Sequence, residues 1–216
     1  MARTIEHPVA PRISPPDLPD ELSRGYPSRN ADLHGATLDL DGEVDLAHAT
    51  LDGCVIAAHA ESIDLTGATV LDVDLAEVRV ASLVLRDANV RRLRIRGGRI
   101  GTLDLSGSRV EELELRELRI DYLTLGAARA EDLLIVDCTI RALDTPQAEL
   151  KRVCFERSRA DEVDSRGMRA ADVDLRGLET LAFLDTNSLR GTTMSAPQAE
   201  LLAVALATGA GIQIKD

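Results

Sequence analysis

Between residues 63 and 182 apolar residues return at a fixed interval of five, which fits neither the 3.6-residue turn of a helix nor the alternation of a strand. One series starts at Ile63 and runs through Ala68, Val73, Val78, Leu83, Ala88 and Leu93 to Leu178, and every member is uncharged. A second series, two places further on, runs Leu65, Val70, Leu75, Val80, Leu85, Val90, Ile95, Ile100, Leu105 and onward. Of its 24 members to Thr180, only Thr145, Ser165 and Thr180 are polar. All 42 charged residues of the stretch occupy the other three positions, so the pattern separates an interior from a surface. Two inward residues flanking one outward residue form a short extended segment. Continuing it would turn the next apolar residue to the wrong face, so the two residues between must turn a corner. The product is a coil of short straight sides.

Side-chain size sets the number of sides. In the first series Ile63, Leu83, Leu103, Leu123, Leu143 and Val163, with Val73, Leu93, Leu113, Leu133, Val153 and Val173, are large, and the positions between them are mostly smaller. An odd number of sides would stack large on small. The smaller residues split every twenty into two unlike columns, Ala68, Ala88, Ser108, Ala128, Ala148, Met168 and Val78, Gly98, Leu118, Cys138, Ser158, Leu178, which favours a four-sided, twenty-residue coil. Such self-similarity means a solenoid whose repeats bury their apolar faces only by stacking, here with a coil rise near ~4.8 Å.

Ala31-Asp32-Leu33-His34-Gly35, Ile63-Asp64-Leu65-Thr66-Gly67 and Val173-Asp174-Leu175-Arg176-Gly177 resemble the repeats of the pentapeptide-repeat family over residues 31–194. The resemblance implies an all-β solenoid, a right-handed quadrilateral β-helix. It implies no activity, since a fold does not fix a function. Some members are dimeric acidic rods that occupy the DNA site of a type II topoisomerase and confer quinolone resistance. The acidic balance here, and a C-terminal helix followed by Gly211-Ile212-Gln213-Ile214, are similar to that group. Departures are the scarcity of inward phenylalanine, with Phe155 the one example in the second series, and a belt of arginines described below.

The flanks divide the chain into a lead-in (1–30), the coil (31–194) and a C-terminal segment (195–216). Pro8, Pro11, Pro15, Pro16, Pro19 and Pro27 fall in the first thirty residues, so an extended lead-in is expected, with at most one turn of helix at 17–24. A proline-rich ligand for a partner's groove is the functional alternative there. The coil starts unevenly. Leu33 and Leu38 are five apart, Leu46 is eight further, and Ile56 to Leu65 spans nine. The interval of nine fits one four-residue side through Ala58 and Ala60, and such breaks in a repeat map to outward bulges or loops, with Asp39 to Val44 the best candidate for a local feature. Residues 195–208 read as a capping helix: Ser195 and Gln198 form a capping-box pair, Pro197 suits the first turn, and Gly209 is a stop. Leu201, Leu202, Val204, Ala205 and Leu206 leave it apolar around most of its circumference. Leu201, Leu202, Ala205 and Leu206 are therefore the candidate homodimer contact, with 211–214 a short apolar strand.

Charge adds a sorting by sign. From Asn30 to Val78 there are eleven acids and no Lys or Arg, and Asp32, Asp39, Asp41, Glu43, Asp45, Asp52, Asp64 and Asp74 form a candidate acidic partner surface. Residues 79–99 then carry Arg79, Arg86, Arg91, Arg92, Arg94, Arg96 and Arg99 against Asp87 alone, a candidate basic belt. Of the net charge of −12, the first 62 residues supply 4 minus 11 and residues 63–182 supply 19 minus 23. Two columns also emerge on stacking, Asp64, Asp104, Asp144, Asp164 and Arg79, Arg99, Arg119, Arg159, which corner geometry alone could produce.

Chemistry is sparse. His7, His34, His48 and His59 lack metal-ligand spacing, and neither a phosphate loop nor a nucleophile elbow is present, so no catalytic, cofactor or metal residues are assigned. Cys54 and Cys138 fall on inward positions and read as small apolar fillers, while Cys154 falls outward. Aromatics are 2% of the chain and Trp is absent, which suits a narrow stacked coil. No membrane-spanning run or signal peptide is evident, and the cytoplasm is the expected location. The expected function is a non-enzymatic scaffold with an unidentified protein partner. The alternative is an acidic DNA mimic that binds a type II topoisomerase such as DNA gyrase. Direct nucleic-acid binding is the weakest reading, because one basic turn beside an acidic end is a poor electrostatic footprint.

Overall fold

Val70 lies beside Val90, Val90 beside Val110 and Val110 beside Ala130, each step twenty residues and each pairing parallel. The same step repeats along the chain and makes a parallel β-solenoid of about eight turns in one continuous sheet. The computed structural model describes residues 7–215, so the first six residues of the lead-in and Asp216 lie outside it. Its strands are β1 (Ser23–Arg24), β2 (Asp32–His34), β3 (Ala36–Asp45), β4 (Thr50–Asp64), β5 (Thr69–Val84), β6 (Asn89–Asp104), β7 (Arg109–Thr124), β8 (Arg129–Val136), β9 (Thr139–Asp144), β10 (Glu149–Glu156), β11 (Ser158–Asp164), β12 (Arg169–Asp174), β13 (Leu178–Phe183) and β14 (Thr192–Thr193). Two short helices follow, α1 (Ala196–Leu201) and α2 (Ala203–Gly209).

Both five-step series point inward. Leu65, Leu85 and Leu105 are fully enclosed, as are Ile63, Leu83 and Leu103. Four of the five buried hydroxyls are bonded to a backbone carbonyl: Thr145 to Asp164, Ser165 to Asp185, Ser108 to Leu105, and Ser158 to Ile135 and Glu156, while Thr124 accepts the N–H of Gly126 at 3.2 Å. An unpaired hydroxyl in such a core would cost more than the bond returns. Cys54 and Cys138 are buried, and burial pushes the Cys138 thiol up to about 11.

Corners follow the same count. Gly67, Asp72 and Glu77 have φ of 67°, 52° and 56°, whereas Ser82 at the fourth corner does not enter the left-handed region. The pattern recurs one coil on at Asp87, Arg92 and Gly97. At the first corner the N–H of Ala68 donates to the carbonyl of Leu65 at 3.0 Å, which with the positive φ at Gly67 describes a type II turn.

The uneven start has the expected short side through Ala58 and Ala60, both buried, and a local irregularity within 39–44, but no loop. Asp32 lies beside Thr50, Thr50 beside Thr69 and Thr69 beside Asn89, so successive coils use 18, 19 and 20 residues. The missing residues shorten the sides at register shifts between Gly42 and Glu43 and between Ala57 and Ser62; no outward loop forms at 39–44. Stacking explains this, because a side one residue short still keeps its neighbours' ladder bonds, whereas a loop would leave them unmade.

The C-terminal segment also departs from the reading of one helix. Leu202, at φ −94° and ψ 0°, interrupts it between α1 and α2. The expected capping box is present, with the Ser195 N–H donating to Gln198 Oε1 at 2.7 Å. The Gln198 amide nitrogen donates to the carbonyls of Leu175 at 2.7 Å and Leu178 at 2.8 Å, satisfying the open edge of the last coil. α2 is held at a different place, where the Thr186 hydroxyl donates to the carbonyl of Ala205, and the bend at Leu202 lies between the two anchors. Neither helix buries a residue, and the buried residue nearest the end of the core is Leu189. Residues 211–214 form no strand, and Ile212 and Ile214 stand exposed.

The lead-in runs the length of the coil. There is no helix at 17–24; Ser23–Arg24 instead pairs with Ala36–Thr37. Before it, residues 8–19 lie along one corner, where backbone N–H groups donate to side-chain carboxylates: Val9 to Asp172 at 3.1 Å, Arg12 to Asp132 at 2.8 Å, Ser14 to Glu112 at 3.0 Å and Asp17 to Asp72 at 2.8 Å.

Candidate functional site

The acidic residues at the first coils are of four kinds. Asp45 and Asp64 turn corners, each accepting the N–H two residues on, from Ala47 at 2.9 Å and Thr66 at 2.8 Å. This Asx-type bond holds the Asp45 carboxyl below the usual carboxylate range. Asp104 and Asp164 do the same in the same column, so the aspartate column is corner chemistry. Asp144 cannot, because Pro146 two residues on has no N–H, and its carboxylate takes the Tyr122 hydroxyl instead. Asp32 and Asp52 flank His34, at 2.8 Å from Nε2 and 3.3 Å from Nδ1, and raise its pKa, the Asp52 hydrogen bond most. Asp39, Asp41 and Glu43 on β3 are exposed and have no cationic partner among the described residues.

Asp74 does not belong to that exposed set. It is buried, and it accepts from Arg94 at 2.8 Å and from Arg96 at 3.1 Å. This pairing also changes the meaning of the belt. Arg92 grips Asp72 one coil back, Arg86 reaches Asp104 at 2.7 Å, and Arg99 reaches Asp121 at 2.8 Å. Five of the seven arginines are therefore paired with carboxylates, each on an adjacent coil; Arg79 and Arg91 make no ion pair among the described residues. A reversal of sign between consecutive turns is what lets one turn neutralise the next.

The opposite end is apolar. Leu201 is 83% exposed, and Val204, Leu206, Leu181 and Leu184 are also exposed. Of the four expected contact residues, Leu201, Ala205 and Leu206 face solvent and Leu202 is half-covered. Between α1 and β13 lies a cleft of about 550 Å³, lined by Leu178, Leu181, Phe183, Pro197, Leu201 and Leu202 among others. Among the described residues, no three of His, Cys, Asp and Glu are grouped so as to hold a metal ion, and no helix is long and apolar enough to cross a membrane.

The residues that sequence reading missed are the corner carboxylates at 72, 112, 132 and 172. Their signal was present in residues 8–18, where Pro8, Pro11, Ile13, Pro16 and Leu18 are the covered positions and repeat with a period of five.

No protein-family model matches this chain, and neither does any curated protein. Among solved structures, two trypsin-treated variants of QnrB1, a plasmid-mediated fluoroquinolone resistance protein, align with 87% of this chain and 92% of their own. Their identities are 13% and 14%, with TM-scores of 0.32 and 0.28.

Proposed function

We propose that this chain is a non-enzymatic, cytoplasmic interaction rod that meets a protein partner through the acidic first coils and a second copy of itself through its apolar C-terminal end. The observation that carries the reading is the contrast between Asp39, Asp41 and Glu43, exposed without a cation, and the arginines, of which five are already committed to carboxylates. Uncompensated charge at one end of a rod governs encounter rate and orientation, and its effect weakens with salt. Affinity capture from the native cytoplasm tests it. Reversing Asp39, Asp41 and Glu43 to Lys abolishes capture while the regular coils stay folded; unchanged capture with unchanged salt dependence places the contact elsewhere.

A second reading, a DNA mimic that occupies a type II topoisomerase, is favoured by the same pairing, since a belt neutralised by its neighbours no longer interrupts a negative surface. A supercoiling assay with purified gyrase separates the two. A scaffold leaves the enzyme unaffected, and a mimic inhibits or protects it. For self-association, Leu202→Asp with Leu206→Asp yields the smaller species on light scattering, and a wild-type monomer at high concentration removes that half of the reading.

A further inference from the structure

The corner against which residues 8–19 lie is built unlike the others. Read down successive coils it holds Gly35, Gly53, Asp72, Arg92, Glu112, Asp132, Arg152, Asp172 and Gly191. All nine have positive φ, a region in which glycine is the unstrained residue. Glycine appears only at the two ends, and the six positions between are charged. At Gly53 a Cβ would lie 3.0 Å from Pro19 Cδ, so the segment presses directly on the column there.

The charges follow an order, acid, Arg, acid, repeated twice. The N–H donors of the segment fall only on the acids: Asp17 on Asp72, Ser14 on Glu112, Arg12 on Asp132 and Val9 on Asp172. The coils without a donor are the two that carry arginine, and these arginines clamp the neighbouring acceptors, Arg92 on Asp72 and Arg152 on Asp132. Two donors per five residues thus meet two acceptors per three coils. The lengths agree: five residues of extended polyproline-type chain span ~15.5 Å, and three coils span ~14.4 Å. Between the donors the segment turns Pro8, Pro11, Ile13, Pro16 and Leu18 toward the coil, while Val9, Arg12, Ser14 and Asp17 keep their side chains outward. Recognition therefore rests on backbone donors and on where the apolar residues fall, not on outward side chains.

We infer that the corner column from Asp72 to Asp172 is a binding site for an extended proline-rich polypeptide segment, which residues 8–19 occupy in the resting molecule and which a partner's segment of the same donor spacing can enter. Among the described residues the occupant joins the coil through residues 20–22 and adds no strand to the sheet, so its exchange costs the solenoid no ladder bond. This surface is separate from the acidic first coils, and either assignment can fail without the other.

Two measurements on the full chain test it. Arg12→Pro with Ser14→Pro removes two donors and keeps the backbone extended. By hydrogen exchange, the wild-type amides of Val9, Arg12, Ser14 and Asp17 are protected relative to a free peptide of residues 7–20, and in the variant Val9 and Asp17 lose about tenfold or more of that protection. A labelled peptide of residues 7–20 then binds the variant about tenfold or more tighter than the wild type, whose own segment competes, and the same peptide carrying both prolines binds neither. Retained protection at Val9 and Asp17 shows that the carboxylates do not hold the segment. A variant whose segment is released but which ignores the peptide, or one that binds both peptides alike, overturns the site.

Discussion

The backbone N–H of Arg12 meets Oδ1 of Asp132 at 2.8 Å across 120 residues of sequence, and Arg152 clasps the same carboxylate through two bonds of 2.7 Å. Burial works against the charge of Asp132, yet the Arg152 bond, the Arg12 amide and their positive charges together bring its pKa below the usual carboxylate range, as Arg92 and the Asp17 amide do for Asp72. A carboxyl depressed in the folded state contributes stability that is present above its unfolded value, near ~3.9, and is lost as pH falls through the lower folded value. Protection of the Arg12 and Asp17 amides is therefore constant from neutral pH down to about 4 and falls below it. Protection that declines between pH 7 and 5 contradicts the assignment of these two acceptors.

Gly98 sits at φ 114°, and a Cβ there would lie 2.0 Å from the carbonyl oxygen of Val78 on the preceding coil. Backbone cannot yield as a side-chain tip can, so Gly98→Ala combines a disfavoured φ with displacement of a ladder carbonyl. A loss of ~2 kcal/mol or more is expected from chemical denaturation, whereas Gly42→Ala, with open space around it, loses only its left-handed preference, ~1 kcal/mol.

Writing the sequence in rows of twenty makes most of this architecture legible, and some of the charge chemistry with it. Leu65, Leu85 and Leu105 declare the interior, and Asp72 above Arg92, or Asp74 above Arg94, would have declared the pairing between coils had charges been read down the rows as well as along them. The shortened first coils were harder. The interval of nine from Ile56 to Leu65 points to a four-residue side through Ala58 and Ala60, but the interval of eight from Leu38 to Leu46 does not show whether the chain loops out or draws in, and stacking decides that. The docked lead-in was hidden for a different reason. Its five-residue count is set against three coils, a match of sixty residues that no local pattern contains, and its donors are backbone groups common to almost every residue.

Tyr122 donates its hydroxyl to Asp144, and this bond, with burial and the negative charge, pushes the phenol up to about 12. The raised value means the contact is intact below the unfolded phenol's pKa, near ~10, and is lost as pH rises through the folded one. With no Trp in the chain, the phenolate absorbance near 295 nm isolates the event. The step that Tyr122→Phe abolishes should be centred at about 12. A removed step centred at 10 or below would falsify the bond.

Asp74 offers the sharpest test of the pairing between coils, because its environment ranks its partners. The carboxylate is nearly enclosed, with 5% of its side chain exposed, while Arg94 is 25% and Arg96 49% exposed. Removing the buried member leaves two cations facing each other without their shared counter-charge, an expected loss of ~2–4 kcal/mol for Asp74→Ala once the arginines' access to solvent is allowed for. Arg96→Ala removes a contact that water already screens and costs ~0–1 kcal/mol. Arg94→Ala falls between them, since its Nε is buried without a partner and its removal offsets part of the lost bond. The order Asp74, Arg94, Arg96 in denaturation midpoints is the prediction. If Arg96→Ala proves as damaging as Asp74→Ala, the exposed arginine anchors the carboxylate, and the turn-to-turn neutralisation assigned to Asp74 and Arg94 is wrong.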